Sequence, residues 1–377
     1  MSDTKFPTPY FIVYEDRLRA NLELIGDVAR RSGAHIIMAF KANALWRTFP
    51  IIKESCRDCT ASSVNELLLG AEELGGEIHS YTPAYTDANI DTFIAHSTHI
   101  TFNSLSQLER YGERAVAAGV SVGLRVNPRC SVIDTDLYNP ALPGSRFGVD
   151  ASDLSDGLPA CVEGLHFHAL CESSAEDLAK VLGAFEEKFG HLLPSLKWVN
   201  MGGGHLMTRK GYDTDRLVEI LRDFRVRHPH LEVILEPGSA FTWQTGDLEA
   251  SVVDTVTDLG ITTAILDVSF ACHMPDTLEM PYLPAVAQSV EEGEGDGHPY
   301  RLGGNSCLSG DFKGDYYFER PPLPGDRITL RDMNHYTTVK TTMFNGVHHP
   351  DIVLERSNGE REYLRRFDYS DYKNRMS

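Results

Sequence analysis

The sequence predicts an α/β fold, a (β/α)8 TIM-type barrel joined to a β-rich, barrel- or sandwich-like C-terminal domain. Three observations predict it. Eight short, largely apolar runs before residue 240 end near Lys41, Ser62, Tyr81, Asn103, Arg125, His168, Gly202 and Glu236. The first five recur at intervals of about twenty residues, enough for a strand, two loops and a helix. After residue 240 the texture changes to short strands separated by turns rich in Gly, Pro and Asp. Eight β/α units point to a closed barrel. A doubly wound open sheet is the alternative, because periodicity does not report closure.

Taken in order, Tyr10–Val13 reads as a strand that precedes the first helix and joins the β-rich domain. The run Ala34-His-Ile-Ile-Met-Ala-Phe-Lys41 reads as a buried strand delivering one amine. Ser63–Leu74, with apolar Val64, Leu67, Leu68 and Leu74, and Ser104–Ala118 read as helices between strands. Beyond the barrel, Leu248–Thr257, Ile328–Leu330, Thr337–Thr342 and Asp351–Leu354 read as strands. Turns such as Glu292–Gly297 and Pro321–Asp326 separate them. The expected domains are 15–240 for the barrel, and 1–14 with 241–377 for the β-domain.

Composition narrows the function. A chain of 377 residues exceeds what one hydrophobic core usually supports, and 42% hydrophobic with 24% charged residues is ordinary for a globular protein. A net charge of −19 disfavours nucleic acid, whose phosphates need basic patches, and favours a cationic substrate. No run is long enough to cross a bilayer, and the N-terminus has no apolar stretch of the secretory kind. Seven irregularly spaced cysteines suggest reduced thiols in a cytoplasm.

The strand ends supply the chemistry. A partly desolvated amine at Lys41 can attack an aldehyde near neutral pH. Met201-Gly-Gly-Gly-His205 lets backbone amides approach a phosphate, and Glu236-Pro-Gly238 adds a carboxylate and another amide. Together they fit pyridoxal phosphate: Lys41 for the aldehyde, glycine amides for the phosphate, Glu236 for the ring nitrogen. Other groups read as structural. Cys56-Arg-Asp-Cys59 reads as core thiols and His348-His349 as loop surface. His166 and His168 are weighed as metal ligands, but one is expected to face the helices and no carboxylate has zincin spacing. No metal is assigned.

Several motifs carry a resemblance: Phe40-Lys-Ala-Asn43, Ser145-Arg-Phe-Gly-Val149, His166-Phe-His-Ala-Leu-Cys-Glu172, Met201-Gly-Gly-Gly204, Glu236-Pro-Gly238, Cys307-Leu-Ser-Gly-Asp311 and Met343-Phe-Asn-Gly346. With them the chain resembles, almost end to end, the fold-type III pyridoxal-phosphate decarboxylases that include the ornithine and diaminopimelate enzymes. The His-Ala-Leu-Cys-Glu variant and His273-Met-Pro-Asp-Thr-Leu-Glu-Met-Pro281 select the carboxynorspermidine (carboxyspermidine) decarboxylase family within that group. The resemblance implies that Lys41 carries the cofactor covalently and His168 stacks on its ring, with Arg125 in support. It implies that Gly203, Gly204, Gly238 and Tyr336 hold the phosphate. Cys307 would come across a homodimer interface as the acid that protonates the carbon losing CO2, giving two shared sites.

The expected substrate is carboxynorspermidine or carboxyspermidine, whose distal ammonium groups suit the acidic residues Asp267, Asp276, Glu279 and Asp311. Several relatives carry an acidic residue directly after the catalytic Cys; here that position is Leu308. Decarboxylation of another basic amino acid is the alternative. A same-fold racemase would place an Arg toward the ring nitrogen, where this chain has Glu236. A non-catalytic polyamine-binding homologue is disfavoured by Lys41, Glu236 and Cys307 standing together.

Overall fold

The chain divides into two compact units: Arg19–Phe241, and Thr242–Ser377 together with the segment up to Leu18. The computed structural model describes residues 6–133, 135–280 and 282–377. The first five residues of the expected 1–14 segment, and Pro281 of the motif that begins at His273, lie outside the described residues.

β1 (Tyr10–Tyr14) belongs to the second unit. In the Arg19–Phe241 unit every strand pairing is parallel, and the strands run round the sheet in chain order. They are β2 (His35–Ile36), β3 (Met38–Ala39), β4 (Cys59–Ala61), β5 (Ile78–Tyr81), β6 (His99–Phe102), β7 (Ser121–Arg125), β8 (Gly164–His166), β9 (Trp198–Asn200) and β10 (Glu232–Leu235). β2 and β3 are two halves of one strand interrupted at Ile37. β2 pairs with β10 and β3 with β4, so the first strand joins the last and the ring closes. That closure selects the barrel over the open sheet.

Each strand stops within about two residues of the end read from the sequence, inside the usual scatter of element boundaries. Helices form where an apolar stripe follows a capping residue. Ser63 Oγ accepts the Glu66 amide at 3.2 Å and starts Val64–Leu69, which continues through a wider turn over Gly70–Leu74. Ser104 caps Leu105–Ala117, which buries Leu108, Tyr111, Gly112 and Ala115. Ser174 and Asp177 form a reciprocal capping box at the head of Ala175–Phe189, whose Leu178, Val181, Leu182, Phe185 and Phe189 face inward. Inside the barrel Trp198 packs with Ile37 and Ile234. Its ring occupies the space beside two strand glycines: a Cβ on Gly164 or Gly123 would fall 2.0 or 2.3 Å from it.

The second unit is built on β11 (Gly246–Asp258), with β12 (Ile261–Leu266), β13 (Ser289–Val290), β14 (Tyr300–Gly303), β15 (Phe312–Phe318), β16 (Arg327–Leu330), β17 (Asp351–Glu355) and β18 (Arg361–Arg365). β1 lies between β11, antiparallel, and β17, parallel. Its side chains alternate with period two: Phe11 joins the main core with Leu248, Ala250 and Val252, while Tyr10 and Ile12 pack with Phe6 and Val353.

One expected strand is corrected. Thr337–Thr342 forms a short 3-10 turn over Thr338–Lys340 instead. Threonine hydroxyls there bond the local backbone, Thr337 Oγ1 to the His335 carbonyl at 2.9 Å and Thr338 Oγ1 to that of Asn334 at 3.3 Å. Such bonds offset the β-branched preference that suggested a strand. Among the described residues, no helix is long and apolar enough to cross a membrane.

Candidate active site

The barrel unit gathers its expected site residues at the C-terminal ends of neighbouring strands, the end at which barrel loops carry chemistry. Lys41 lies two residues beyond β3. Its side chain remains open to solvent, yet the dense protein around it, and then the Arg125 charge, lower its pKa. Its Nζ stands 3.4 Å from His168 Nε2. The Gly203 amide donates to His168 Nδ1 at 3.0 Å, which leaves the neutral ring's proton on Nε2. Burial, and next Lys41, hold the His168 pKa well below its ordinary value. His168 therefore presents an N–H toward the Lys41 amine, whose charged form its surroundings disfavour.

Arg125, at the end of β7, is buried between the rings of Tyr81 and Phe147, 4.7 and 4.5 Å from their centres. It donates to the His168 carbonyl at 3.2 Å. Phe147 arrives on the Ser145–Val149 loop, where Val149 pairs with Val126 and Gly148 adopts φ +81°. Tyr81 is oriented by Asn103, at 2.8 Å, and the Gly148 amide bonds the same Asn103 oxygen at 3.0 Å.

Glu236 follows β10. Asn200 Nδ2 donates to its Oε1 at 2.7 Å, and His166 Nε2 lies 3.5 Å from Oε2. Burial alone would raise the carboxyl pKa, but His166, with smaller contributions from His79 and Asn200, brings it to about 2. Burial acts on His166 too and lowers its pKa, against the opposing pull of Glu236. This placement overturns the expectation that one of His166 and His168 faces the helices. Residues two apart point to the same side of a strand, and both rings reach the barrel interior. Asn200 and His166 were missed as partners of Glu236; the available signal was their position at the ends of β9 and β8.

The glycine run is shaped by close contacts. Gly202 and Gly204 adopt φ of +69° and +90°. A Cβ on Gly203 would fall 2.4 Å from the Glu236 carbonyl oxygen, and one on Gly238 2.6 Å from Ala42 Cβ. The Gly203 amide is engaged with His168 Nδ1.

The remaining expected residues belong to the second unit. The Cys307 amide donates to Asn345 Oδ1 at 2.8 Å, and the thiol-bearing residue is exposed, as is Leu308. The Thr342 amide donates to the Cys272 carbonyl at 2.8 Å, so the segments around 272, 307 and 345 are knitted together. Tyr336 adopts φ +47°, a conformation uncommon outside glycine.

The four acidic candidates differ. Asp311 is buried and accepts the Ala271 amide at 3.0 Å and the Ser306 hydroxyl at 2.6 Å. Asp267 accepts the Ser251 amide at 2.8 Å. Asp276 and Glu279 share Lys340, whose Nζ donates to both, at 2.6 Å to Glu279. Cys56 and Cys59 are buried free thiols, the former pushed up to about 12 by burial, as core cysteines should be.

Comparison with known proteins extends this geometry. No family model matches the chain. It superposes on the crystal structure of diaminopimelate decarboxylase from M. jannaschi with a TM-score of 0.82 at 19% identity, covering 97% of this chain and 91% of that one, a likeness of fold alone. It superposes on carboxynorspermidine decarboxylase from Campylobacter jejuni, crystallised with norspermidine, with a TM-score of 0.89 at 39% identity, covering 98% of this chain and all of that one. Fold and relatives together define the class: a decarboxylase built on a barrel. In sequence the chain is 47% identical to the carboxyaminopropylagmatine decarboxylase of Synechocystis sp. over 99% of its length and 96% of the relative's. It is 40% identical to the carboxynorspermidine/carboxyspermidine decarboxylase of Campylobacter jejuni over 98% of both chains. The chain belongs to the carboxynorspermidine/carboxyspermidine decarboxylase family.

Proposed function

We propose that this decarboxylase uses pyridoxal 5'-phosphate to convert carboxynorspermidine and carboxyspermidine into norspermidine and spermidine. The observation that carries the reading is the arrangement of Lys41, His168 and Glu236 at one end of the barrel, in a chain with such relatives. The residues fit the cofactor: an amine whose charged form is disfavoured for its aldehyde, a carboxylate held ionised for its ring nitrogen, and a glycine cradle that a Cβ would fill. When bound, the cofactor supplies an electron-accepting ring for the pair left behind as CO2 departs.

The chain's own residues do the rest. Lys41, with its charged form disfavoured, would bond the aldehyde. Glu236, fixed by Asn200 and His166, would favour a proton on the ring nitrogen, because a nearby anion favours the cation. His168, held by the Gly203 amide, would lie against the ring, and Arg125 braces its backbone. Gly204 and Gly238, and by the resemblance Tyr336, would hold the phosphate. Cys307, by the resemblance supplied by a second copy of the chain in a homodimer, would be the proton donor to the carbon that loses its carboxylate. Asp276 and Glu279 read the distal ammonium groups. Lys340 stands in for that cation, and an incoming substrate cation replaces it.

A second reading rests on the relative at 47% identity, which is named for carboxyaminopropylagmatine. That substrate ends in a guanidinium, whose planar fork suits paired carboxylates such as Asp276 and Glu279. Steady-state kinetics on carboxynorspermidine, carboxyspermidine, carboxyaminopropylagmatine, diaminopimelate and ornithine tests both. The first reading expects the highest kcat/KM on one of the first two. A higher value on carboxyaminopropylagmatine selects the second, and one on diaminopimelate or ornithine overturns both.

A further inference from the structure

The opposite, N-terminal end of the barrel carries a second cluster that the decarboxylase chemistry does not use. His35 starts β2, Glu77 and His79 lie at the head of β5, and His99 starts β6. One ligand atom from each of His35, Glu77 and His79 lies within 4.8 Å of the other two. His79 is 4% exposed, and its Nε2 has no hydrogen-bond partner while standing 3.7 Å from Glu77 Oε2. A buried imidazole nitrogen without a partner is costly, so its orientation toward a carboxylate and a second imidazole asks for a ligand.

The surroundings are those of a metal centre. His35 meets a carboxylate on each ring nitrogen, Glu232 on Nδ1 at 3.0 Å and Asp58 on Nε2 at 2.9 Å. Both nitrogens donate to carboxylates, so a metal binds by displacing one carboxylate and releasing the proton at that nitrogen, while the other keeps its carboxylate to fix the ring, as ligating histidines in metalloproteins do. The Asp58 Oδ1 atom accepts the Glu77 amide at 2.7 Å and so ties that strand to the same group. His79 is held by stacking on His99, with ring centres 4.0 Å apart. His99 Nδ1 lies 3.9 Å from the same Glu77 oxygen, a fourth donor at the edge of the set. An open depression of about 570 Å³, lined by Lys53, Arg57, Asp58, Gly76, Glu77 and Thr98, borders the cluster at Glu77.

We infer that His35, Glu77 and His79 form a binding site for a first-row transition dication of the zinc type. Bonds of about 2.0–2.2 Å place tetrahedral ligand atoms about 3.3 Å apart, so the Glu77–His79 separation is nearly met already. Glu77, half exposed, supplies the remaining movement. Two imidazoles and one carboxylate favour zinc over magnesium or calcium, which prefer oxygen alone. The site bridges β2 and β5 at the end of the barrel away from Lys41. Its expected effect is on the stability of the fold.

The test uses the full-length enzyme freed of metal by chelator, titrated with Zn²⁺ by calorimetry and with Co²⁺ by visible absorption. The wild type should bind one equivalent with the spectrum of nitrogen and oxygen ligands, and its Tm should rise on metal addition. Glu77→Gln, at an exposed position, should weaken binding at least tenfold and abolish the Tm rise while leaving decarboxylation unchanged. His79→Asn should weaken binding likewise if it folds, and Glu77→Gln, the variant whose turnover is compared, decides alone if it does not. Absence of stoichiometric binding, a thiolate charge-transfer band, or undiminished affinity in Glu77→Gln would overturn the assignment.

Discussion

Replacing Glu236 by Gln keeps the shape of the side chain, and its oxygen can still accept from Asn200, but it removes the charge. The carboxyl falls from an ordinary 4.5 to about 2 in the folded protein. At about 1.4 kcal/mol per pH unit, the site favours the anion by about 3 kcal/mol. Because the folded pKa lies below the unfolded one, that stability is fully present above about pH 4.5. It drains away as pH falls through about 2. Glu236→Gln should therefore be less stable than the wild type by up to about 3 kcal/mol at pH 7. The gap should shrink below pH 4.5 and be nearly closed at pH 2. Urea unfolding of both proteins without added cofactor, at several values between pH 2.5 and 7, reads the difference directly. A gap that stays constant with pH, or a variant as stable as the wild type at pH 7, would refute the reasoning that this pocket is built for a carboxylate.

Other substitutions probe the rest of the site. The same Glu236→Gln protein should lose decarboxylase turnover at least about a hundredfold, roughly 2.7 kcal/mol of barrel-site chemistry, while retaining measurable cofactor binding. Gly203→Ala must displace the Glu236 carbonyl and should cost about 1–3 kcal/mol of stability, with cofactor affinity reduced more than tenfold in a fluorescence titration. Mixing inactive Lys41→Ala with inactive Cys307→Ala should restore up to about a quarter of wild-type activity, since a hybrid dimer keeps one intact site of two. No recovery after proven subunit exchange would count against the shared site. Ser174→Ala removes one half of a capping box and should lower stability by about 1 kcal/mol in thermal melts, without changing KM.

The barrel was readable because its information is local. Each strand ends in a residue unlike the apolar run before it, as at Lys41, Arg125 and Glu236, so the ends that carry chemistry were also the easiest to place. Closure was not readable, because it depends on pairings between the His35–Ile36 half-strand and Glu232–Leu235, about two hundred residues apart. The second unit was harder. Gly246–Asp258 is long and β-branched enough to announce itself, but Phe312–Phe318 mixes Lys, Gly and Asp with its aromatics and gave no clean alternation. Thr337–Thr342 has strand composition, yet its hydroxyls find carbonyls in their own turn.

Site residues followed the same division. Lys41 and Glu236 stood out by type and position, whereas Asn200 acquires meaning only from a neighbour thirty-six residues away. His166 was misjudged because residues two apart, such as His166 and His168, share one face of a strand and were expected on opposite faces. The acidic candidates looked equivalent as letters. In the folded unit Asp267 and Asp311 hold nearby backbone, whereas Asp276 and Glu279 share the Lys340 ammonium. The imidazole cluster at the other barrel end was invisible, since His35, Glu77 and His79 come from separate strands with no metal-binding spacing.

Peptide mapping after borohydride reduction tests the central claim most directly. Purified enzyme supplied with pyridoxal 5'-phosphate should absorb in the visible, lose that absorption on reduction, and carry the pyridoxyl mass on the peptide containing Lys41. Label on a different lysine, or no stable label despite an intact fold, would contradict the assignment of Lys41 and the site built around it.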